Sequence, residues 1–243
     1  MSERGEARAR QSASDASDFE VLAAEETELG LIWLRERETP LGRAVEISLD
    51  HEFLMSSATT DSERALSSRA IAWHGGDALS VLVGGLGLGA TAHELLRSPR
   101  AASVRVVELL QPVLDWHARD LVPLARELRA DARFAAERGD VYARLLGEPR
   151  GEERFDLILI DVDHSPDERL GPSSASFYSA ASLARASCHL APGGALGVWS
   201  YAEAPRFEAE LRRVFGEVRA ERVVFRNALD GLSEENWIYL AAR

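Results

Sequence analysis

The sequence contains no lysine, and all 28 residues counted as Lys or Arg are arginine. A pyridoxal-phosphate or other Schiff-base enzyme needs a lysine amine, so this class is excluded. Walker A nucleotide sites and protein kinases are excluded for the same reason, since both place a lysine against phosphate. The single cysteine, Cys188, excludes an intramolecular disulfide and a cysteine-based zinc cluster. These exclusions depend only on which residue types are present, and they therefore hold for any fold.

Long apolar runs and positive charge are also scarce. No stretch reaches the roughly 18 apolar residues of a membrane span, and the first residues contain no apolar signal core, so we expect a cytoplasmic protein without a membrane partner. The 243 residues carry 40 acidic side chains, a net charge of −12 at pH 7, and no local basic patch. A surface of this sign repels phosphate backbones, and no nucleic-acid partner is expected.

The chain divides into three parts by pattern. Residues 1–18 are rich in Ser, Ala, Arg and Glu and predict a disordered tail. Residues 19–58 contain the runs FEVLAAEE, GLIWLRERE and GRAVEISLD, which predict three strands of a small antiparallel β-subdomain. In residues 59–243, runs typical of strands alternate with runs typical of helices. This alternation predicts an α/β fold, a Rossmann-like doubly wound sheet of seven strands whose last pair is antiparallel.

The elements of the third part follow from hydrophobic periodicity and from turn residues. Strands are predicted at residues 80–84, 104–108, 133–136, 155–161, 195–200, 218–226 and 237–242. Helices are predicted at residues 61–73, 91–97, 141–146, 177–190 and 207–215, with one helix from Pro112 through Leu128. A turn around Asp230-Gly231 joins the last two strands.

A glycine-rich run, GGLGLG, follows the first strand of the predicted seven-stranded sheet. Ligands of such sheets bind at the carboxyl ends of the strands, and glycines let a backbone approach them closely. We therefore expect Gly84, Gly85, Gly87 and Gly89 to contact a cofactor, although a tight turn without a ligand accounts for the same residues. The spacing differs from the GxGxxG dinucleotide fingerprint, which disfavours NAD.

Carboxylates follow the next two strands. Glu108, with Leu109 beside it, ends the second strand and is expected to accept both ribose hydroxyls of an adenosine, unless it is a solvated strand-end glutamate. Asp140, with Val141, follows the third strand. We expect Asp140 to accept from an adenine amino group, to cap the helix that follows, or to do both.

A third acidic segment, DVDHSP, follows the apolar run FDLILI. A carboxylate that leaves a buried strand is costly without a partner, so Asp161 is expected to contact the cofactor and to orient or deprotonate a nucleophile. Asp163 is expected to be a second catalytic carboxylate, and His164 to contact the substrate. These three residues also suit a metal ion, but no further metal-ligand motif appears and none is expected. Three aromatic residues are expected beside the cleft, around an acceptor or a cation, unless they only pack: Tyr178, Trp199 and Tyr201.

Taken in order, five segments resemble the successive motifs of class I S-adenosylmethionine (SAM)-dependent transferases: VLVGGLGLGATAHELL, VVELLQPVLDWH, GDVYARLL, FDLILIDVDHSP and LAPGGALGVWS. The chain is most similar to the spermidine synthase-like branch, whose N-terminal β-subdomain ends in a Leu-Asp segment, here Leu49-Asp50. The resemblance covers residues 19–243. It implies SAM or decarboxylated SAM as the cofactor, a small-molecule acceptor and a homodimer.

The chain departs from that branch at the polyamine site. Aminopropyltransferases carry a GGGDGG loop whose aspartate holds the amine of decarboxylated SAM, and Leu88 stands at that place. The Leu-Asp-Gly…Gln segment lacks its glutamine, and the Asp-Glu…Tyr-His helix reads DSERAL at residues 61–66. Of the DSxDP loop, Asp161 is kept, with Asp163 or His164 in place of the second aspartate. The nucleoside half therefore matches the family, and the polyamine half does not.

These departures favour a SAM-dependent methyltransferase for a small-molecule acceptor, built on a spermidine synthase-like scaffold. With Leu88 at the amine position, decarboxylated SAM is expected to have no advantage over SAM. Two alternatives stay open. One is a polyamine aminopropyltransferase that uses decarboxylated SAM, in which Asp161 and Asp163 hold the amine. The other is a nucleoside-binding dimer without catalysis.

Overall fold

The computed structural model describes residues 19–40, 42–162, 164–166, 177–227 and 231–242. The predicted disordered tail, Asp163 and Asp230 of the predicted turn therefore lie outside the described residues. Within the described residues, the strands form one sheet of four and one sheet of seven.

The four-stranded sheet is an antiparallel meander at the N-terminal side of the chain. Its strands are β1 (Glu20–Thr27), β2 (Gly30–Thr39), β3 (Gly42–Leu49) and β4 (Glu52–Ser56). The prediction of three strands missed β4, which is short and begins with exposed residues, so that it lacks a clear alternation. A two-residue turn makes β4 possible: Leu49 pairs with Glu52, and Asp50 takes a left-handed φ of 51°.

The seven-stranded sheet has the order β10-β11-β9-β8-β5-β6-β7. Its strands are β5 (Leu79–Gly84), β6 (Ala101–Glu108), β7 (Phe134–Arg138), β8 (Phe155–Ile160), β9 (Leu190–Ser200), β10 (Glu217–Arg226) and β11 (Ser233–Ala242). Strands β5 to β9 pair in parallel, whereas β11 is antiparallel to both β9 and β10. The predicted α/β fold, with an antiparallel last pair and an N-terminal antiparallel sheet, is confirmed.

Helices connect these strands and cover both faces of the larger sheet. They are α1 (Asp61–His74), α2 (Ala90–Arg97), α3 (Gln111–Ala118), α4 (Ala125–Ala130), α5 (Val141–Leu146), α6 (Ala180–Ala186) and α7 (Pro205–Arg212), with a 3₁₀ turn at Ser187–His189. None of the described helices has the length and apolar character needed to cross a membrane.

The single helix predicted from Pro112 through Leu128 is wrong, because the chain forms α3 and α4 there. Asp120 takes a left-handed φ of 59° between the two helices. Pro123 follows, and proline has no amide hydrogen to donate within a helix. The predicted apolar face is therefore divided between two short helices that pack against each other.

The helix predicted at residues 177–190 is also too long, because β9 begins at Leu190. Phe155 of β8 pairs with Leu190, and Leu157 then pairs with Ala195, so the intervening residues bulge out of the strand. Gly193 in this bulge has a φ of 79°. The APGG segment that predicted a helix end thus belongs to a strand with an irregular start.

The core has two parts, one on each face of the seven-stranded sheet. Val81 and Val83 of β5 belong to the cluster that includes Leu34 of the four-stranded sheet and Leu66 of α1. Leu82 belongs to the cluster on the other face. Burying each such side chain contributes about 1.5–3 kcal/mol. Coverage on both faces explains the continuous apolar runs of these strands and holds their carboxyl ends in place.

Candidate functional site

The carboxyl ends of three strands are held together by the backbone. The amide of Gly85, after β5, donates to the carbonyl oxygen of Val107 in β6 at 3.0 Å. The amide of Asp161, after β8, donates to the carbonyl oxygen of Gly84 at 2.9 Å. Gly85 has a φ of 91°, and a Cβ atom there would lie 2.2 Å from the carbonyl oxygen of Asp161. Glycine is therefore required at position 85 by this close approach of two strand ends, whether or not a ligand binds.

A pocket at these strand ends, which we call the Glu108 pocket, extends to side chains of the four-stranded sheet. Residues from that sheet contribute an apolar wall that includes Ile32, Ile47 and Met55. Seven of the predicted cofactor residues line this pocket: Gly85, Gly87, Glu108, Leu109, Asp140, Val141 and Asp161. Gly84 does not, because it ends β5, where a Cβ atom would lie 2.7 Å from a side-chain carbon of Val141.

Glu108 is buried in the wall of its pocket. Its Oε2 atom accepts from the amide of Leu86 at 2.8 Å, and Oε1 accepts from the amide of Leu110 at 2.9 Å. Burial raises the pKa of this carboxyl, and the backbone hydrogen bonds oppose that rise. Each carboxylate oxygen has a second lone pair, so the same group can also accept from ribose hydroxyls.

Asp140 caps α5 with one oxygen. Its Oδ1 atom accepts from the amides of Tyr142 at 2.8 Å and Ala143 at 3.1 Å. Its Oδ2 atom accepts no hydrogen bond from the described residues, and the side chain lines the Glu108 pocket. The helix-cap interpretation is thus what the structure shows, and an acceptor is left for the predicted contact with adenine.

A second pocket, which we call the Glu63 pocket, adjoins the first. The two pockets share five wall residues: Leu54, Met55, Gly87, Asp161 and Val162. Glu63 comes from the first turn of α1, and Leu88 and Gly89 come from the glycine loop. No role was predicted for Glu63, although it lies in the segment DSERAL, which stands in place of the polyamine-site helix of the family that the chain resembles. That resemblance places α1 near the site but does not predict that Glu63 lies beside Asp161.

Glu63 and Asp161 bring two carboxylates into this pocket. Thr91 donates to Oδ2 of Asp161 at 2.5 Å, and Ser62 donates to Oε2 of Glu63 at 2.9 Å. Burial raises the pKa of Asp161 to about 6, against the effect of the Thr91 hydrogen bond. Burial and the neighbouring charge of Asp161 raise the pKa of Glu63 to about 7. A bound cation would therefore lower the pKa of both carboxyls and stabilise their ionised forms.

No arginine stands among the described residues that line the Glu63 pocket. The basic side chain there is His164, whose Nδ1 atom lies 3.4 Å from Oε1 of Glu52. The described part of the chain therefore contains two carboxylates at this position with no permanent cation between them.

The predicted substrate residues divide between wall and core. Trp199 and His164 line the Glu63 pocket. Tyr201 contacts His164: its amide donates to the carbonyl oxygen of His164 at 2.8 Å, and the two rings meet edge to face. Tyr178, expected beside the cleft, is instead buried in the core, where its hydroxyl lies 2.8 Å from that of Tyr142. Its ring packs against neighbouring aromatic rings, which leaves it no surface in the described walls of either pocket.

Of the three residues that suited a metal ion, Asp163 lies outside the described residues. Among the residues that the structure does describe, no three His, Cys, Asp or Glu side chains come together as a metal site would require.

Comparison with known proteins gives a sequence relative and a fold. No family model matches the chain. A polyamine aminopropyltransferase of Nitrosomonas europaea is 32% identical over 152 residues, which cover 59% of this chain and 44% of the relative. The chain thus spans less than half the length of this curated relative.

Solved structures match over most of the chain. A spermidine synthase in complex with the transition-state analogue AdoDATO has a TM-score of 0.72 at 17% identity, covering 91% of this chain and 73% of its own. Spermidine synthase from Thermotoga maritima has a TM-score of 0.70 at 17% identity, covering 91% and 72%.

These comparisons overturn one prediction and confirm another. The preference for methyl transfer is contradicted, because the relative is a polyamine aminopropyltransferase and both structures are spermidine synthases. The predicted resemblance to the spermidine synthase-like branch is confirmed. The chain has the fold of the spermidine synthase structures, with a four-stranded N-terminal sheet before the Rossmann-like domain.

Proposed function

We propose that the protein transfers the aminopropyl group of decarboxylated SAM to an amine. The observation that carries this proposal is that Glu63 and Asp161 both line a pocket that shares wall residues with the Glu108 pocket. Two carboxylates favour a donor whose chain ends in an ammonium group, and they repel the α-carboxylate that SAM carries. The expectation that SAM would bind as well as decarboxylated SAM rested on Leu88 alone and did not include Glu63.

The Glu108 pocket suits the nucleoside of the donor. In this proposal, Glu108 accepts the two ribose hydroxyls with the lone pairs that its backbone contacts leave available. Asp140 accepts from the adenine amino group through Oδ2, while Oδ1 keeps its position as the cap of α5. Leu109 and Val141 contribute apolar surface to the same wall. The bound donor supplies a methylene carbon activated by its positively charged sulfur.

Asp161 prepares the acceptor for attack. An acceptor ammonium must lose a proton before its nitrogen can form a bond, and Asp161 receives that proton at a carboxylate oxygen. An alkylammonium is normally a much weaker acid than a carboxylic acid, and the raised pKa of Asp161 narrows this gap. The nitrogen lone pair then forms the new C–N bond as the C–S bond breaks, with its electron pair going to sulfur. The products are methylthioadenosine, an amine extended by one aminopropyl group, and a proton. Asp163, predicted as a second catalytic carboxylate, stays a prediction.

The test is product analysis with both donors. Purified protein is incubated with decarboxylated SAM or with SAM and a panel of amines that includes putrescine and spermidine, and products are identified by mass spectrometry. We expect methylthioadenosine and an amine heavier by one aminopropyl group from decarboxylated SAM. A methylated amine from SAM would contradict the proposal. Donor binding without product for any amine would favour the non-catalytic alternative.

The assembly and the location of the protein stay predictions. As the resemblance implies, we expect a homodimer, which analytical ultracentrifugation of the full chain measures directly. The cytoplasmic location and the domain boundary between residues 58 and 59 rest on sequence pattern alone.

A further inference from the structure

The glycine loop carries Leu88, an apolar residue, at the place where the aminopropyltransferases that the chain resembles have an aspartate. Leu88 is 4% exposed and lines the Glu63 pocket. An ammonium group buried against leucine would lose its hydration without a compensating partner, which is strongly unfavourable. A donor that ends in an ammonium group therefore needs a carboxylate from another element of this pocket.

We propose that Glu63 of α1 binds the ammonium group of the donor's aminopropyl chain, which moves this recognition from the glycine loop to a helix. The inference rests on the proposed function, because it takes decarboxylated SAM as the donor. It assigns to Glu63 a role in donor specificity.

The arrangement of the two pockets places the chain of the donor beside Glu63. With its nucleoside in the Glu108 pocket, the donor can extend its three-carbon chain past the shared wall of Met55, Gly87 and Asp161. The chain then enters the Glu63 pocket. Trp199 also lines this pocket, and an aromatic ring face stabilises a nearby cation.

Among the described residues, no arginine or histidine forms an ion pair with Glu63. Its neighbour Arg64 donates to Thr60 and pairs with Glu94 instead. The hydrogen bond from Ser62 orients the carboxylate of Glu63 but brings no positive charge. No described arginine lines the pocket to neutralise it.

Other described carboxylates nearby are less suited to this role. Asp61, two residues earlier in α1, is exposed and does not line either pocket. Glu52 is exposed and lies within ion-pair distance of His164. Asp161 does line the pocket, and its Oδ2 atom already accepts from Thr91. Asp161 is also the proposed base for the acceptor, which leaves Glu63 for the donor.

The experiment compares two ligands that differ by the aminopropyl chain. Affinities for decarboxylated SAM and for methylthioadenosine are measured by calorimetry on the wild-type chain and on Glu63→Gln. We expect Glu63→Gln to weaken decarboxylated SAM by about 10- to 100-fold, as for the loss of a charged hydrogen bond, with methylthioadenosine changed by less than about twofold. Glu63→Asp, which keeps the charge on a shorter side chain, should lose less than Glu63→Gln.

Asp61→Asn is the matched control, because it removes the same charge from the same helix outside the pocket. We expect it to leave both affinities within about twofold of the wild-type values. Equal losses of both ligands in Glu63→Gln, or no loss of decarboxylated SAM, would overturn the inference. If binding depends on Glu63 but no amine is extended, the proposed function fails and the inference stands. If amines are extended and Glu63→Gln binds the donor normally, the inference fails and the proposed function stands.

Discussion

Both halves of the cleft contain carboxylates, buried at Glu108 and partly buried at Glu63 and Asp161, but the halves differ in what stabilises the charge. Glu108 accepts backbone amides with both oxygens. Glu63 and Asp161 accept side-chain hydroxyls, burial raises the pKa of both, and the neighbouring charge of Asp161 raises the pKa of Glu63 further. Backbone amides bring fixed dipoles that compensate for burial, whereas a like charge adds to its cost. The first arrangement is part of the fold, whereas in the proposed function the second is stabilised by the ammonium group of the bound donor.

The largest effect is expected at the proposed base. Asp161→Asn removes the proton acceptor but keeps the shape of the side chain and an oxygen for Thr91. We expect turnover to fall by about 10²–10⁴, the usual contribution of a positioned acid–base group. The affinity for methylthioadenosine should stay within about threefold, or under about 1 kcal/mol. Single-turnover product formation and calorimetry measure the two quantities, and near-normal turnover would reduce Asp161 to a structural role.

Substitution of Glu108 is expected to have a smaller effect, which lowers both the ligand affinity and the stability of the fold. Glu108→Ala removes the proposed ribose acceptor and leaves the amides of Leu86 and Leu110 without their partner. We expect methylthioadenosine to bind more weakly by about 1.5–3 kcal/mol and the free energy of unfolding to fall by about 1–3 kcal/mol. Calorimetry and denaturant unfolding measure these changes. Loss of stability with unchanged affinity would remove the ribose assignment and leave Glu108 as a purely structural carboxylate.

Substitution of Glu63 is expected to stabilise the fold, whereas substitution of Glu108 destabilises it. The pKa of Glu63 in the folded state is raised to about 7, so the folded chain holds this proton more tightly than the unfolded chain. The contribution of Glu63 to the free energy of unfolding is therefore most favourable at low pH, and it is lost as the pH rises through about 7. At pH 8, Glu63→Gln should stabilise the chain by about 1 kcal/mol, which raises the melting temperature by about 2–4 °C. At pH 5, where the glutamate is protonated in the fold, we expect little difference.

Thermal unfolding of the ligand-free protein at the two pH values measures this effect. Asp61→Asn is the comparison: its exposed charge also raises the pKa of Glu63, so at pH 8 this substitution should change the melting temperature in the same direction but by less than Glu63→Gln. If Glu63→Gln changed the melting temperature equally at pH 5 and at pH 8, the substitution would be acting through packing and not through charge.

The smallest functional effect is expected at Tyr178, which lies in the core and not in the cleft. Tyr178→Phe removes the hydroxyl that lies against Tyr142 and should cost about 1 kcal/mol, or about 2–4 °C in melting temperature. Donor affinity and turnover should stay within about twofold of the wild-type values. A tenfold or greater loss of turnover without loss of stability would indicate that Tyr178 contacts the substrate after all.

Much of the architecture could be predicted because its signals are local. The apolar run of β8, the glycine loop after β5 and the acidic residue that ends β6 follow from hydrophobic periodicity and from residue types at strand ends. The errors occurred where local signals compete. Pro123 divides a segment with a continuous apolar pattern, and the bulge before Ala195 resembles a helix end.

The sequence by itself determined, through the absence of lysine, which chemistry is impossible here, and it also determined the alternation of strands and helices after the N-terminal sheet. It also placed Glu108, Asp140 and Asp161 at strand ends, because side-chain period and glycine content are properties of short segments. Only the tertiary structure decided that Glu63 lies near Asp161 and that Tyr178 is buried in the core, outside the described walls of both pockets. Such proximity depends on how α1 and the four-stranded sheet pack over the larger sheet. Packing of that kind sums many contacts between distant segments, and no short stretch of sequence contains it.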